Sequence, residues 1–133
     1  MSWDASEGFH MTDPVKSLAD SIATQEGFFV ENSIPQIRNN PGDLDYAGQI
    51  GASKPSPAGP LPNIAVFASK ALGVAALYRQ LWLQVAEGQT VRQIVAQWAG
   101  NNPAYLANVL GWTGLPADTS VLELLSPLAQ MNL

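Results

Sequence analysis

Between Ser69 and Glu87 the chain is apolar on nearly every side of a helical wheel. Ser69 is a good N-cap, and Leu72, Ala75, Ala76 and Leu83 spread over all faces. Gly88 then supplies a stop. A helix apolar all round belongs in an interior. The sequence therefore predicts a buried central helix from about Ser69 to Glu87 with other elements packed around it. The chain after it supplies several. Thr90 caps a helix that puts Val91, Ile94, Val95 and Trp98 on one face and stops at Gly100. Asn102-Pro103 opens another, with Leu106, Val109 and Leu110 inward. Asp118 or Thr119 begins a last one, bent or ended near Pro127.

The first half has one helix and much turn chemistry. Asp13 suits an N-cap and Pro14 the first helical position. Val15, Leu18, Ala19, Ile22 and Ala23 then recur at spacings of three and four, and Gly27 suits the left-handed cap. This predicts a helix over residues 14–26. Residues 27–46 read as irregular, with Phe28 and Phe29 folding back into the core and tight turns at Pro35 and Asn39-Asn40-Pro41-Gly42. Leu44-Asp45-Tyr46 is a short strand candidate and Ile64–Phe67 its partner. Residues 47–63, rich in Gly, Pro, Ser and Ala, suit either an interdomain linker or a long loop. The loop is preferred, because neither half carries a convincing core alone. The expected architecture is mostly α, or α+β with a minor β-ribbon, in a single domain over 13–133 behind an irregular N-terminal arm over 1–12.

Composition narrows the chemistry. The 133 residues include no cysteine and a single histidine, His10. Disulfides, thiol nucleophiles, a Ser-His-Asp triad and a HExxH metal site are thereby set aside, and no cofactor or metal is expected. Any hydrolytic chemistry falls to carboxylates, hydroxyls, amides or the backbone. A net charge of −5, with basic residues spread singly, argues against nucleic acid and against an anionic membrane surface. No apolar run reaches the length of a membrane span. Residues 1–12 are polar and lack the apolar core of a signal peptide. The expectation is a protein that acts where it is made, travels by another route, or has lost its leader.

Glu26 is the most informative residue. It continues the series Leu18, Ile22 at a spacing of four, so it points to the helix's buried side or frays into solvent at the helix end. On the buried side, desolvation and the negative end of the helix dipole both disfavour its anion. A carboxyl kept protonated near neutral pH is what a glycosidase needs to protonate a leaving oxygen.

Thr24-Gln25-Glu26-Gly27-Phe28-Phe29 resembles the helix-end Glu-Gly motif of the lysozyme superfamily. Arg38-Asn39-Asn40-Pro41-Gly42-Asp43-Leu44 is similar to the Arg-x-Asn-Asn-Pro-Gly-Asn motif of phage-type muralytic domains and soluble lytic transglycosylase-like proteins. Val66-Phe67 with Ser69, Gly73 and Ala76-Leu77 resembles the segment that follows. So do Thr90-Val91 through Trp98-Ala99 and then Asn102, Tyr105 and Val109. The likeness spans roughly residues 15–118. It implies a lysozyme-like helical bundle that cleaves the β-1,4 bond between N-acetylmuramic acid and N-acetylglucosamine, with Glu26 as general acid and base. The partner implied is the glycan strand of bacterial peptidoglycan, met at the cell wall after export, phage delivery or as part of a virion. A monomer is the default.

This chain has Asp43 where the family usually has Asn. A side-chain amide donates to a sugar hydroxyl, whereas a carboxylate only accepts. Asp43 is either a tolerated change or a second carboxylate. Asp45 is another candidate for that role and Glu31 a weaker one, each set against a solvated turn carboxylate. Asn39 and Asn40 are candidates for binding N-acetyl groups or for holding the turn, and Asn40, directly before Pro41, favours the latter. Tyr105 is a candidate for lining a sugar cleft, Trp98 for core packing, and residues 47–63 for a lid over the cleft. The alternatives are a non-catalytic glycan-binding or virion structural module on the same fold, and a chitinase-like enzyme.

Overall fold

A computed structural model describes residues 13–56 and 59–125. The expected arm over 1–12 and the bend near Pro127 lie outside the described residues. The chain is mostly helical with one small antiparallel sheet. In order it runs α1 (Pro14–Gln25), α2 (Ile34–Ile37), β1 (Ala52–Ser53), β2 (Val66–Phe67), α3 (Lys70–Ala86), α4 (Val91–Ala99) and α5 (Pro103–Thr113), followed by helical residues 121–125. It divides into two compact units, Ile22–Arg79 and, among the described residues, 13–21 with 80–125. The boundaries fall inside α1 and α3. Residues 47–56 and 59–63 lie within the first unit.

In the first unit Ile22, Ala23, Phe28, Ala65, Phe67 and Leu77 are buried. The sheet pairs Ala52 with Phe67 and Ser53 with Val66. Asp45 and Ile64 form an isolated antiparallel bridge, and Tyr46 N–H donates to the Asn63 carbonyl at 2.7 Å. The expected partnership of Leu44–Tyr46 with Ile64–Phe67 is thus split. Asp45 meets Ile64, while Val66-Phe67 takes a partner from inside the loop. α2 replaces part of the segment expected to be irregular. Ser33 caps it by accepting from Gln36 N–H at 3.2 Å, and Pro35 fits its first turn.

In the second unit Asp13 Oδ1 accepts from Lys16 N–H at 2.9 Å, the cap expected for α1. Val15, Leu18 and Ala19 are buried on that helix, with Leu81 and Val85 on α3, Val91, Ile94 and Val95 on α4, Val109 on α5, and Val121. Thr90 and Gln93 form a reciprocal capping box at the start of α4. Asn102 Oδ1 accepts from Ala104 and Tyr105 N–H at the start of α5. Val121 N–H donates to the Gln89 carbonyl at 3.0 Å, which ties the last helical residues beside the entrance to α4.

α3 corrects the expectation of burial on every side. Gly73, Leu77, Leu81, Gln84 and Val85 form one buried stripe. Trp82 and Leu83 are 48% and 46% exposed, and Ala75 is exposed as well. The bundle has one covered side for this helix, so apolar residues off the stripe stay at the surface. Trp98, expected in the core, is half-buried.

Candidate active site

Glu26 is positioned by the way α1 ends. Its N–H donates to the Ile22 carbonyl at 2.9 Å, the last regular helical bond. Gly27 N–H then bonds the Thr24 carbonyl at 3.1 Å and Phe28 N–H the Ala23 carbonyl at 3.0 Å. This is the two-bond Schellman closure, completed by buried Ala23 and Phe28. Gly27 has φ +83°, and a Cβ there would meet nothing within 4 Å. The requirement for glycine is therefore conformational, not steric. Glu26 is half-buried, directly beyond fully buried Ile22. It is neither sealed in the core nor frayed into water.

The segment Arg38–Leu44 is built mainly by side-chain bonds to backbone. Arg38 is only 8% exposed, and its guanidinium donates to the carbonyls of Leu61 (2.8 Å), Ile64 (3.2 Å) and Pro60 (2.7 Å). Residues 60–64 are thereby held by one planar fork. This pins one flank of the segment read as a lid, and the β1–β2 pairing pins the other. Asn39, at φ +52°, donates its amide to the Phe67 carbonyl at 3.1 Å. A Cβ on Gly73 would collide with the Asn39 carbonyl oxygen, so α3 approaches this turn through a bare backbone. Asn40 is fully buried. Its Nδ2 donates to the carbonyls of Leu44 (3.0 Å) and Ala65 (2.9 Å), and its Oδ1 accepts from Leu44 N–H at 2.9 Å.

These bonds decide between the two roles that the sequence offered each asparagine. Asn40 has no face toward solvent and its donors are spent, so it holds the turn and does not touch a substrate. Asn39, half-buried, also has its amide committed to backbone. Both belong to the scaffold that presents the next residue, Asp43.

Asp43 has φ +49°, a left-handed position tolerated by Asp and Asn better than by most residues. Its N–H donates to the Asn40 carbonyl at 3.1 Å. Glu26 acts on its side chain as a neighbour. Oδ1 of Asp43 is out of solvent with no hydrogen-bond partner. Burial pushes the Asp43 carboxyl above its ordinary range. The Arg38 charge opposes that shift, the Asp45 charge adds to it, and the Glu26 hydrogen bond opposes it. The fold therefore makes Glu26 and Asp43, which lie apart in sequence, neighbours, and the Arg38 charge acts on Asp43.

The other candidates have different settings. Asp45 is exposed and reaches the site through its charge on Asp43. Glu31 is exposed. Tyr105, half-buried in the first turn of α5, belongs to the second unit. That unit contains its own cavity of about 330 Å³ beside α4 and α5, lined by Val95, Ala96, Asn101, Asn102, Leu106 and Leu110 among others. Sequence reasoning did not find the brace that Arg38 provides, although Arg38 was part of the matched motif. An arginine beside two asparagines and a glycine turn was the available signal. No family model matches the chain, and no curated protein or solved structure does so either.

Proposed function

We propose that the chain adopts a lysozyme-like fold and cleaves the β-1,4 bond between N-acetylmuramic acid and N-acetylglucosamine in bacterial peptidoglycan, with Glu26 as general acid and base. The observation that supports this most is that the Glu26 and Asp43 side chains act on one another as neighbours. The two segments that carry the family resemblance converge on one carboxyl pair. Glu26 protonates the glycosidic oxygen as the bond to the anomeric carbon breaks. The electron-poor sugar is then captured by a hydroxyl, either water or one on the sugar itself. That hydroxyl's proton returns to Glu26, so the carboxyl is restored in each cycle. Negative charge on Asp43 favours the positively charged sugar at the transition state.

The non-catalytic glycan-binding or virion module keeps one point in its favour, the replacement of the usual Asn by Asp43. Parallel digestion of purified peptidoglycan and chitin oligomers, followed by fragment mass spectrometry, separates the possibilities. Cleavage of peptidoglycan is expected, and the fragment masses distinguish hydrolysed from anhydro ends. Cleavage of chitin oligomers alone points to the chitinase-like enzyme. Binding to peptidoglycan without fragments from either substrate favours the binding module.

A further inference from the structure

We propose that the groove between α4 and α5 is a peptide-binding site, which takes the carboxyl-terminal alanyl end of a peptidoglycan stem peptide with its carboxylate on Arg92. The peptidoglycan source of this ligand rests on the glycosidase reading above, whereas the chemistry of the groove does not. The groove encloses about 330 Å³, within the range of small-ligand sites. Val95 and Ala96 line it from one face of α4, and Leu106, Ala107 and Leu110 from one face of α5. The turn Gly100–Asn102 joins the two walls at one end, and Arg92, in the first turn of α4, lies toward the other. All of these residues belong to the second unit.

Three features choose the occupant. The first is charge. Among the described residues that line the groove, Arg92 alone is charged. Its Nε and Nη2 donate to Oδ1 and Oδ2 of Asp118 at 2.8 and 3.1 Å, and Nη1 takes no part in that fork. The two side chains are 57% and 71% exposed. An ion pair so open to water holds its partners weakly, so the guanidinium can accept a ligand carboxylate. The second feature is shape. From Pro103 to Leu110 the α5 wall is about 10 Å long, the span of about three extended residues. Ala96 and Ala107 leave space for methyl-sized side chains, and none of the described lining residues is aromatic, so a sugar ring finds no platform. The third is the polar end. Asn101 is exposed there, and Asn102 commits its Oδ1 to the cap of α5 while its Nδ2 keeps two N–H donors. Side-chain amides in that position suit the carbonyls of a peptide backbone.

NMR titration of the isotope-labelled full chain with diacetyl-Lys-D-Ala-D-Ala, and with the same peptide as its C-terminal amide, tests this. The free acid should shift backbone signals of α4 and α5. The C-terminal amide should bind about tenfold more weakly, the loss of one charged hydrogen bond. Arg92→Gln should weaken the free acid about tenfold and abolish the difference between the two peptides. Asp118→Asn breaks the same ion pair but keeps the cation, so it should bind the free acid at least as tightly as the wild type. Ala107→Phe fills the groove from an exposed position and should weaken both peptides. No shifts in the groove, equal affinity for the two peptides, or equal weakening by Arg92→Gln and Asp118→Asn overturns the proposal. So does N-acetylglucosamine shifting these signals where the peptide does not. Peptide binding by a chain that cleaves no glycan supports the groove and counts against the glycosidase reading alone. Cleavage of peptidoglycan without peptide binding does the reverse.

Discussion

Three demands meet at position 43: a left-handed backbone, a carboxyl partly withdrawn from water, and a second carboxyl as neighbour. Asn satisfies the first at least as well as Asp and escapes the other two. Because the folded-state pKa of Asp43 is raised above 3.8, its favourable contribution is complete below that pH and is lost as pH rises through the folded value. At pH 7 the anion therefore opposes folding. Asp43→Asn should raise the melting temperature at pH 7 by about 2–5 °C, with the gain vanishing below pH 3.8. Scanning calorimetry at pH 7 and pH 3 checks it, and a lower melting temperature at pH 7 would contradict the electrostatic assignment. Stability given up at this position is consistent with a site tuned for proton transfer. The placing of Glu26 at the end of α1 and the turn-holding role of Asn40 were legible in the sequence. The carbonyls that Asn39 and Asn40 would bond were not. An amide donates equally well to a sugar or to a carbonyl, and the carbonyls that claim these two, at Ala65 and Phe67, arrive more than twenty residues later in the chain.

Two glycines inside helices make opposite predictions. Ala is the better helix former by about 1 kcal/mol. At Gly111 in α5 a Cβ meets nothing within 4 Å, so Gly111→Ala should stabilise by up to about that amount. At Gly73 in α3 the Cβ would run into the Asn39 carbonyl oxygen, and backbone cannot swing aside as a side chain can. There the overpacking cost of about 1–3 kcal/mol outweighs the propensity gain, so Gly73→Ala should lower the urea midpoint. Equal shifts in the two variants would argue against the close approach of α3 to the turn. Helices with capping residues and a single apolar face, α1, α4 and α5, were legible because both signals are local. α2 was missed because four residues carry no period. β1 was missed because its pairing depends on β2 and not on alternation within the loop. For α3 the fault lay in the pattern itself: a helix apolar all round does not say which side will be covered.

Across the whole chain the net charge is −5 with only six basic residues. Lys16 pairs with Asp20, Arg92 with Asp118, Arg38 binds loop carbonyls, and Lys54 lies over the Tyr46 ring. Little cationic surface is left to steer the chain to an anionic wall. Binding to peptidoglycan should therefore change by less than about threefold between 50 and 200 mM salt, as judged by pull-down isotherms, whereas a steep loss would reveal electrostatic recognition. The described residues fall into two compact units divided within α1 and α3, and Glu26 and Asp43 both belong to the first. The central assignment is tested most directly by turbidity of purified peptidoglycan exposed to the wild type and to Glu26→Gln, with circular dichroism confirming that both are folded. Clearing by the wild type and none by folded Glu26→Gln is the expected result. Equal clearing by both proteins, or none by either across pH 4–8, would contradict Glu26 as the catalytic acid.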